Sequence, residues 1–254
     1  MVVEAWHVVR TLRALEMLAV APRSAPELAA GLLVHVRTAR RILRRLESEG
    51  YVYLGDDRRR RYRPTMRIVA LAGQVVAGAE LTQTAVPFVT AMRDELGEDC
   101  HLCVPSYLSA LCLVHAPVQA GNDCRPHLRE LVPCHCTASG KALLAWREQW
   151  RDAALTQPLE SFTERTLTGP EALRRHLAHT VARGYAIEDR EYDPDIRGIA
   201  APVTSSTGET VAAVAVVAPI ARLPTESIRT IGEAVVRAAT SLSAALSREQ
   251  GAEP

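Results

Sequence analysis

Lysine is almost missing from this chain. Of its 30 basic residues only Lys141 is a lysine, and the rest are arginine. Aromatics make up 4% of the 254 residues, so the core must be filled mainly by aliphatic side chains. No apolar run reaches the ~20 residues that span a bilayer. The first residues lack the pattern of a secretory signal. These absences exclude a helical membrane protein and make a cytoplasmic location the expectation. Six Cys in a chain of this length make no disulfide scaffold.

What is present is an ordinary globular composition, 48% hydrophobic and 23% charged, long enough for a small domain and a medium one. The net charge of +1 hides an asymmetry. Residues 1–76 hold 14 arginines against 7 acidic residues, whereas the remainder holds 16 basic against 22 acidic. A basic first third on an acidic remainder suggests a nucleic-acid reader joined to something else. Arginine is preferred along the whole chain, so its placement carries the argument rather than its identity.

The placement is informative in Val36 to Val52, VRTARRILRRLESEGYV. At helical spacing Ala39, Ile42, Leu43 and Leu46 share one side, and Arg37, Arg40, Arg41, Arg44 and Arg45 share the other. Such a helix packs on a core while facing a polyanion. Gly50 ends it, and Tyr51-Val52-Tyr53 reads as a strand. Upstream, Glu4 to Leu18 is a first amphipathic helix with Val8, Val9, Leu12, Leu15 and Leu18 on its stripe. Ser24-Ala25-Pro26-Glu27 is a capping box opening a short second helix. Two short helices joined by a tight turn, the second one basic, form a helix-turn-helix.

After the basic helix, two short strands flank Gly55-Asp56-Asp57 and the arginine run Arg58 to Arg61, which makes a wing. His35, Arg37, Thr38 and Arg41, near the helix start, are candidates for base edges. Arg40, Arg44, Arg45 and the wing arginines Arg58, Arg59, Arg60 and Arg61 are candidates for phosphate contacts. The expected partner is double-stranded DNA.

The expected domains are 1–64, the DNA-binding head; 65–80, an apolar linker helix; and 81–254, an α+β domain with a central antiparallel sheet. In the last, Leu81 to Leu96 is a helix with Val86, Val89, Met92 and Leu96 inward. Cys100 to Val104 and Ala110 to His115 pair as strands around a Ser106-Tyr107 turn. Ala138 to Ala145 is a loop opening a helix, and Pro170 to Arg183 is a helix. Strands follow at 185–188, 196–203 and 211–217, with a closing helix over 224–246.

Ser24 through Val52 is similar, without a gap, to the winged helix-turn-helix of the IclR family of bacterial transcriptional regulators. The likeness lies in SAPELAA, TARRILRRLE and EGYV. Where the family usually has a Gly-hydrophobic-Pro turn, this chain has Leu33, Val34 and His35. HCTASGKALLA (135–145) and GYAIEDREYDPDIRGIAAPV (184–203) resemble the family's other two motifs. The resemblance implies a GAF-like effector-binding domain and a homodimer or dimer of dimers on a palindromic operator. Repression is the family's commoner mode.

It also implies a small-molecule site between the start of the Ala138 helix and the sheet. The candidates are the backbone amides of Ala138, Ser139 and Gly140 and the Ser139 hydroxyl. The family's acidic pocket position falls on Glu188. Its other positions fall on Gly198, Ala215 and Val217, where members that bind small acids carry Cys and Ser. Those exchanges remove polar partners, so the expected effector is a relatively apolar one, such as an aromatic acid, an acyl compound or a lactone.

Other signals are weaker. Cys100-x-x-Cys103 with Cys134-His135-Cys136 offers soft ligands for zinc, and a redox-sensing pair is a further option. Residues three apart on a strand point to opposite faces, however, so buried thiols acting as small hydrophobes fit better. Cys112 and Cys124 add no fixed spacing. No Walker loop, calcium loop or catalytic triad is evident, so neither cofactor nor enzyme activity is expected. The competing reading is a ligand-, metal- or redox-sensing GAF-like protein whose basic head grips nucleic acid without sequence choice.

Overall fold

The computed structural model of the chain describes residues 2–56, 59–77, 80–118 and 131–250. Arg58 and Cys124 lie outside the described residues. The chain divides into two compact units, residues 1–79 and 80–254.

The first unit runs α1 (Val2–Val20), α2 (Ala25–Gly31), α3 (Val36–Ser48), β1 (Val52–Leu54), β2 (Tyr62–Pro64) and α4 (Arg67–Ala77). The capping box forms as its residues dictate: the Ser24 hydroxyl accepts from the Glu27 N–H, and the Glu27 carboxylate accepts from the Ser24 N–H at 2.7 Å. Ala39, Ile42, Leu43 and Leu46 are buried against Leu18, Leu28 and Val52. Each large aliphatic side chain so buried stabilises the fold by about 1.5–3 kcal/mol. β1 and β2 pair antiparallel, Val52 opposite Pro64 and Leu54 opposite Tyr62. The stripe expected on α1 is corrected: Ala14 and Leu18 are buried, but Val8, Val9 and Leu12 are more than half exposed.

The second unit runs α5 (Glu80–Leu96), β3 (Asp99–Ser106), β4 (Ser109–Ala116), β5 (Leu131–Pro133), α6 (Ala138–Ala145), α7 (Glu148–Leu155), α8 (Pro170–Arg183), β6 (Ala186–Asp189), β7 (Ile196–Thr204), β8 (Thr210–Pro219) and α9 (Ile228–Gln250). Six antiparallel strands lie in the order β5-β4-β3-β8-β7-β6. One face of the sheet carries Cys100, Leu102, Val114, Ile199, Val214 and Val216 and packs on α5 and α9. The other carries Cys103, Cys112, Ala200, Ala213 and Ala215 and packs on α6. On α5 the inward residues are Ala85, Val89 and Met92, while Val86 is 47% exposed, which corrects its expected place. The short β5 and α7 carry no strong sequence signal. β5 has three residues, and α7 starts without a side-chain cap.

Candidate functional site

Two sites take shape, one in each unit. In the first, the turn between α2 and α3 determines how α3 is presented. Leu33 adopts φ 53 with its side chain 89% exposed, so the place of the family's glycine holds a strained leucine that packs on little. His35 is the N-cap of α3, its Nδ1 accepting from the Arg37 N–H at 3.2 Å. That bond fixes the neutral ring's proton on Nε2, which leaves Nε2–H as a donor at the head of the helix.

A cleft of about 550 Å³ is lined by Ser24, Ala25, Pro26, Arg40, Arg44, Leu54, Arg59, Arg60 and Tyr62. It brings two arginines of α3 and two of the wing together, which gives a phosphate backbone two rails. Three other candidates lie apart from it. Arg41 Nη2 is 3.4 Å from His7 Nε2 on α1. Arg45 pairs with Glu49 along the helix. Arg61 sits where the wing returns, its carbonyl accepting from the Gly55 N–H. Arg37 is exposed and Thr38 half-buried at the start of α3. Ser24 and Tyr62, both in the cleft, were not among the residues expected to contact DNA.

In the second unit the strand registers arrange the α6-side face in rows. One row is Asp99, Val217, Gly198 and Glu188, on β3, β8, β7 and β6. The next is His115, His101, Ala215, Ala200 and Ala186, on β4, β3, β8, β7 and β6. A third is Cys112, Cys103, Ala213 and Pro202. Small side chains let α6 lie close to the sheet. A Cβ on Gly198 would be 3.0 Å from Ala138 Cβ and 3.4 Å from Glu188 Oε2. On Gly140 it would be 2.2 Å from Cys134 Cα, so only glycine fits there.

Ala138, Glu188, Gly198 and Val217 are thus brought together, with Ala215 one row away. Two of the three α6 amides expected at the effector site already have partners within the chain. The Ala138 N–H donates to Glu188 Oε2 at 3.2 Å. The Gly140 N–H donates to the hydroxyl of Thr137, the N-cap, at 3.3 Å. Ala138–Gly140 are also helical rather than looped, and the Ser139 hydroxyl lies within hydrogen-bond reach of Cys103. Burial pushes the Glu188 carboxyl up to about 7, against the opposing pull of Lys141.

Lys141 itself is fully buried and ion-paired with buried Glu191. Burial lowers the Lys141 ammonium from its ordinary value, against the pull of Glu191. Burial also pushes the thiols of Cys100, Cys134 and Cys136 up. That favours their neutral form. Cys100 and Cys103 pack on opposite faces of the sheet. Among the described residues no group of three or more His, Cys, Asp or Glu is placed to hold a metal ion.

His101, His115 and Asp99, which the sequence did not single out, share the α6-side face. Strand alternation puts Asp99 and His101 on one face, but His115 joins them only because the β3–β4 ladder carries an irregularity between Leu102 and Cys103.

Residues 73–244 match the family model described as the bacterial transcriptional regulator IclR C-terminal domain. This chain belongs to the IclR family. A Cupriavidus necator protein named "Probable transcriptional regulator SauR" is 31% identical over 226 residues, covering 87% of this chain and 88% of that protein. The glycerol operon regulatory protein of Streptomyces coelicolor is 31% identical over 228 residues, 89% and 88% of the two chains. The structure of an IclR homolog complexed with 4-hydroxybenzoate, from Microbacterium hydrocarbonoxydans, has a TM-score of 0.75 at 27% identity and covers 94% of this chain and 98% of that one. IclR regulators pair a DNA-reading head with an effector domain, and both sites above lie in those two parts. This chain is a transcriptional regulator, and its relatives are named as regulators rather than enzymes. No helix among the described residues is long and apolar enough to cross a membrane.

Proposed function

We propose that this protein binds a palindromic operator as a homodimer or dimer of dimers, reads bases from the start of α3, and adjusts its affinity to a small organic effector in the second unit. The observation that carries this is the cleft where Arg40 and Arg44 of α3 meet Arg59 and Arg60 of the wing. Arg37, Thr38, Arg41 and the Nε2 of His35 are the base readers, and the cleft arginines grip phosphates. Residues 65–80 act as the linker. Exposed apolar residues on α1 (Val8, Val9, Leu12) and along α4 (Val69, Leu71) supply surface for a second copy.

The effector site lies on the sheet beside the start of α6, among Ala138, Ser139, Gly140, Glu188, Gly198, Ala215 and Val217. Its floor of hydrogen, methyl and isopropyl groups suits a flat or aliphatic body. The relative complexed with 4-hydroxybenzoate supports an aromatic or acyl compound. Effector binding would bias the spacing of the two DNA-reading heads and so release or tighten the operator. Repression is the mode we assign, and the site is a cytoplasmic one. The metal- and redox-sensing reading has less support: the thiols among the described residues are buried, and burial pushes those of Cys100, Cys134 and Cys136 up, although the hydrogen bond with Cys112 lowers that of Cys103.

The test is genome-wide footprinting of the purified protein on DNA from its own source at physiological salt. A short set of sites sharing one palindrome is expected. Uniform, salt-sensitive coverage with no shared motif would overturn operator recognition and leave the arginine face as a phosphate grip.

A further inference from the structure

Cys103 and Cys112 face each other across β3 and β4. They are Cα partners at the step where the ladder carries its irregularity. Both belong to the buried cluster on the α6 side of the sheet, at 3% and 5% exposure. Directly opposed residues of an antiparallel pair have Cα atoms about 4.5–5.5 Å apart, inside the range that a disulfide spans. The two thiols are free and are hydrogen-bonded to each other. Sulfurs in hydrogen-bond contact need only a small closure to become covalently bonded.

The company of Cys103 separates this pair from the other thiols. Its sulfur has two donors, Cys112 on the facing strand and the hydroxyl of Ser139. Ser139 sits in the first turn of α6, where the helix dipole favours a negative charge. The hydrogen bond with Cys112 lowers the Cys103 thiol from its ordinary value; burial opposes this, and Ser139 adds to it. Cys112 moves the other way. Its hydrogen bond to Cys103 and its burial push it up, so the shared proton rests on Cys112. The Val114 carbonyl is a second acceptor for that proton, 3.4 Å from the Cys112 sulfur. Cys134 shares the cluster, but burial, and then the charge on Cys103, push it up. It stays a thiol and is no rival nucleophile. Cys100 lies on the opposite face.

We propose that Cys103 and Cys112 are a peroxide-reactive pair, Cys103 attacking and Cys112 resolving, and that the disulfide they form changes the operator affinity of this regulator. The pair adds a second signal to the regulator and does not replace the first. Its chemistry stands apart from the effector reading, whereas its effect on DNA rests on the operator reading above.

The Cys103 thiolate attacks one oxygen of hydrogen peroxide. A sulfur–oxygen bond forms, the oxygen–oxygen bond breaks, and hydroxide leaves, taking a solvent proton to become water. The Cys112 sulfur then attacks the Cys103 sulfenic acid. The sulfur–sulfur bond forms, the sulfur–oxygen bond breaks, and the second water leaves with the Cys112 proton. The two sulfurs together lose two electrons, and the peroxide gains them. The product ties β3 to β4 at the irregular step and withdraws the Cys103 charge from Ser139. The change therefore arrives at the first turn of α6, where the effector face begins.

The experiment treats the reduced full chain with a few equivalents of hydrogen peroxide and blocks the remaining thiols with iodoacetamide. The bonds are then mapped by non-reducing mass spectrometry after chymotrypsin, for which Tyr107 lies between the two cysteines. We expect the loss of two thiols, a Cys103–Cys112 crosslinked peptide, and the return of both thiols with dithiothreitol. Cys112→Ser should stop at a Cys103 sulfenic acid that dimedone captures. Cys103→Ser, or Cys103→Ala should the first fail to fold, should slow the oxidation of Cys112 about tenfold or more. On the operator found by footprinting, oxidised wild type should differ in affinity from reduced by about fivefold or more. Both variants should be unmoved by peroxide there. No loss of thiols, a bond to any other cysteine, or oxidation of Cys112 at the wild-type rate in the Cys103 variants would each overturn the pair. A Cys103–Cys112 bond that leaves operator affinity unchanged would overturn the switch. The mapping needs no DNA, so a footprint without an operator removes the switch together with the operator reading and leaves the crosslink standing on its own.

Discussion

Glu188 on β6 accepts a hydrogen bond from the backbone N–H of Ala138 at the start of α6, across 50 positions of sequence and 3.2 Å of space. A helix N-terminus favours an anion, and here the sheet provides one from within the chain. Burial nevertheless lifts this carboxyl from 4.5 to about 7, so the folded protein keeps a proton that the unfolded chain releases. The stability from this group is full below about pH 4.5 and is lost as pH rises through about 7. Wild type should lose up to about 3 kcal/mol over that window, and Glu188→Gln should lack the loss. Burial holds His176 down at about 3, which gives the opposite slope between about pH 3 and 6.5 and so overlaps this window. The quantity to follow in denaturant melts is therefore the difference between the two proteins.

Lys141→Met should be more damaging than any surface arginine change. It leaves the buried Glu191 carboxylate without its cation, at a cost of about 3–5 kcal/mol. Lys141→Met combined with Glu191→Leu should recover a good part of that loss. Equilibrium denaturation of the single and double variants measures both. If the double variant is no better than the single, the pair does not act as a unit.

Leu33→Gly should stabilise the DNA-reading head. Leu33 holds φ 53 while 89% exposed, so its side chain contributes strain and little packing. Relief of the left-handed conformation outweighs the added freedom of the unfolded chain by about 0.5–1 kcal/mol. A rise in the melting temperature of the first unit is the readout.

Arg44→Ala and Arg59→Ala, one on each side of the cleft, should weaken operator and random DNA alike. Each should lower the slope of log K against log salt by about one. Arg41→Ala, at the residue beside His7, should weaken the operator more than random DNA. Equal loss for Arg41→Ala would move it among the phosphate contacts. Anisotropy titrations at several salt concentrations separate the cases.

The first unit was legible where local rules act alone. The capping box, the arginine-faced helix and the hairpin after it each follow from a few neighbouring residues. Helix α1 was over-read because an apolar stripe looks the same whether it meets the chain's own core or is left on the surface. Val8, Val9 and Leu12 are left on the surface. Val86 has the same explanation on α5, where the stripe is shifted to Ala85.

The effector face was legible as a set of positions and not as chemistry. Gly198 lies beside Ala138, Glu188 and Val217, positions that the family resemblance had grouped. What spacing along the chain does not reveal is that Glu188 reaches back to the helix amide. The histidine pair depends on one irregular step in the ladder. With Ser106 opposite Ser109 at the turn, an unbroken register would set His101 against Val114 and send His115 to the other face. An irregularity of that kind has no sequence signature strong enough to read here.

The smallness of this sheet face also has an inherited dimension. Any alanine codon becomes a serine codon through a single base change. Ala215 lies within one such step of a hydroxyl, beside His101 on the neighbouring strand. Duplicated copies of this gene can thus diverge in what they sense without passing through a broken fold. The DNA-reading head, encoded elsewhere in the gene, would keep its targets while the signal changed.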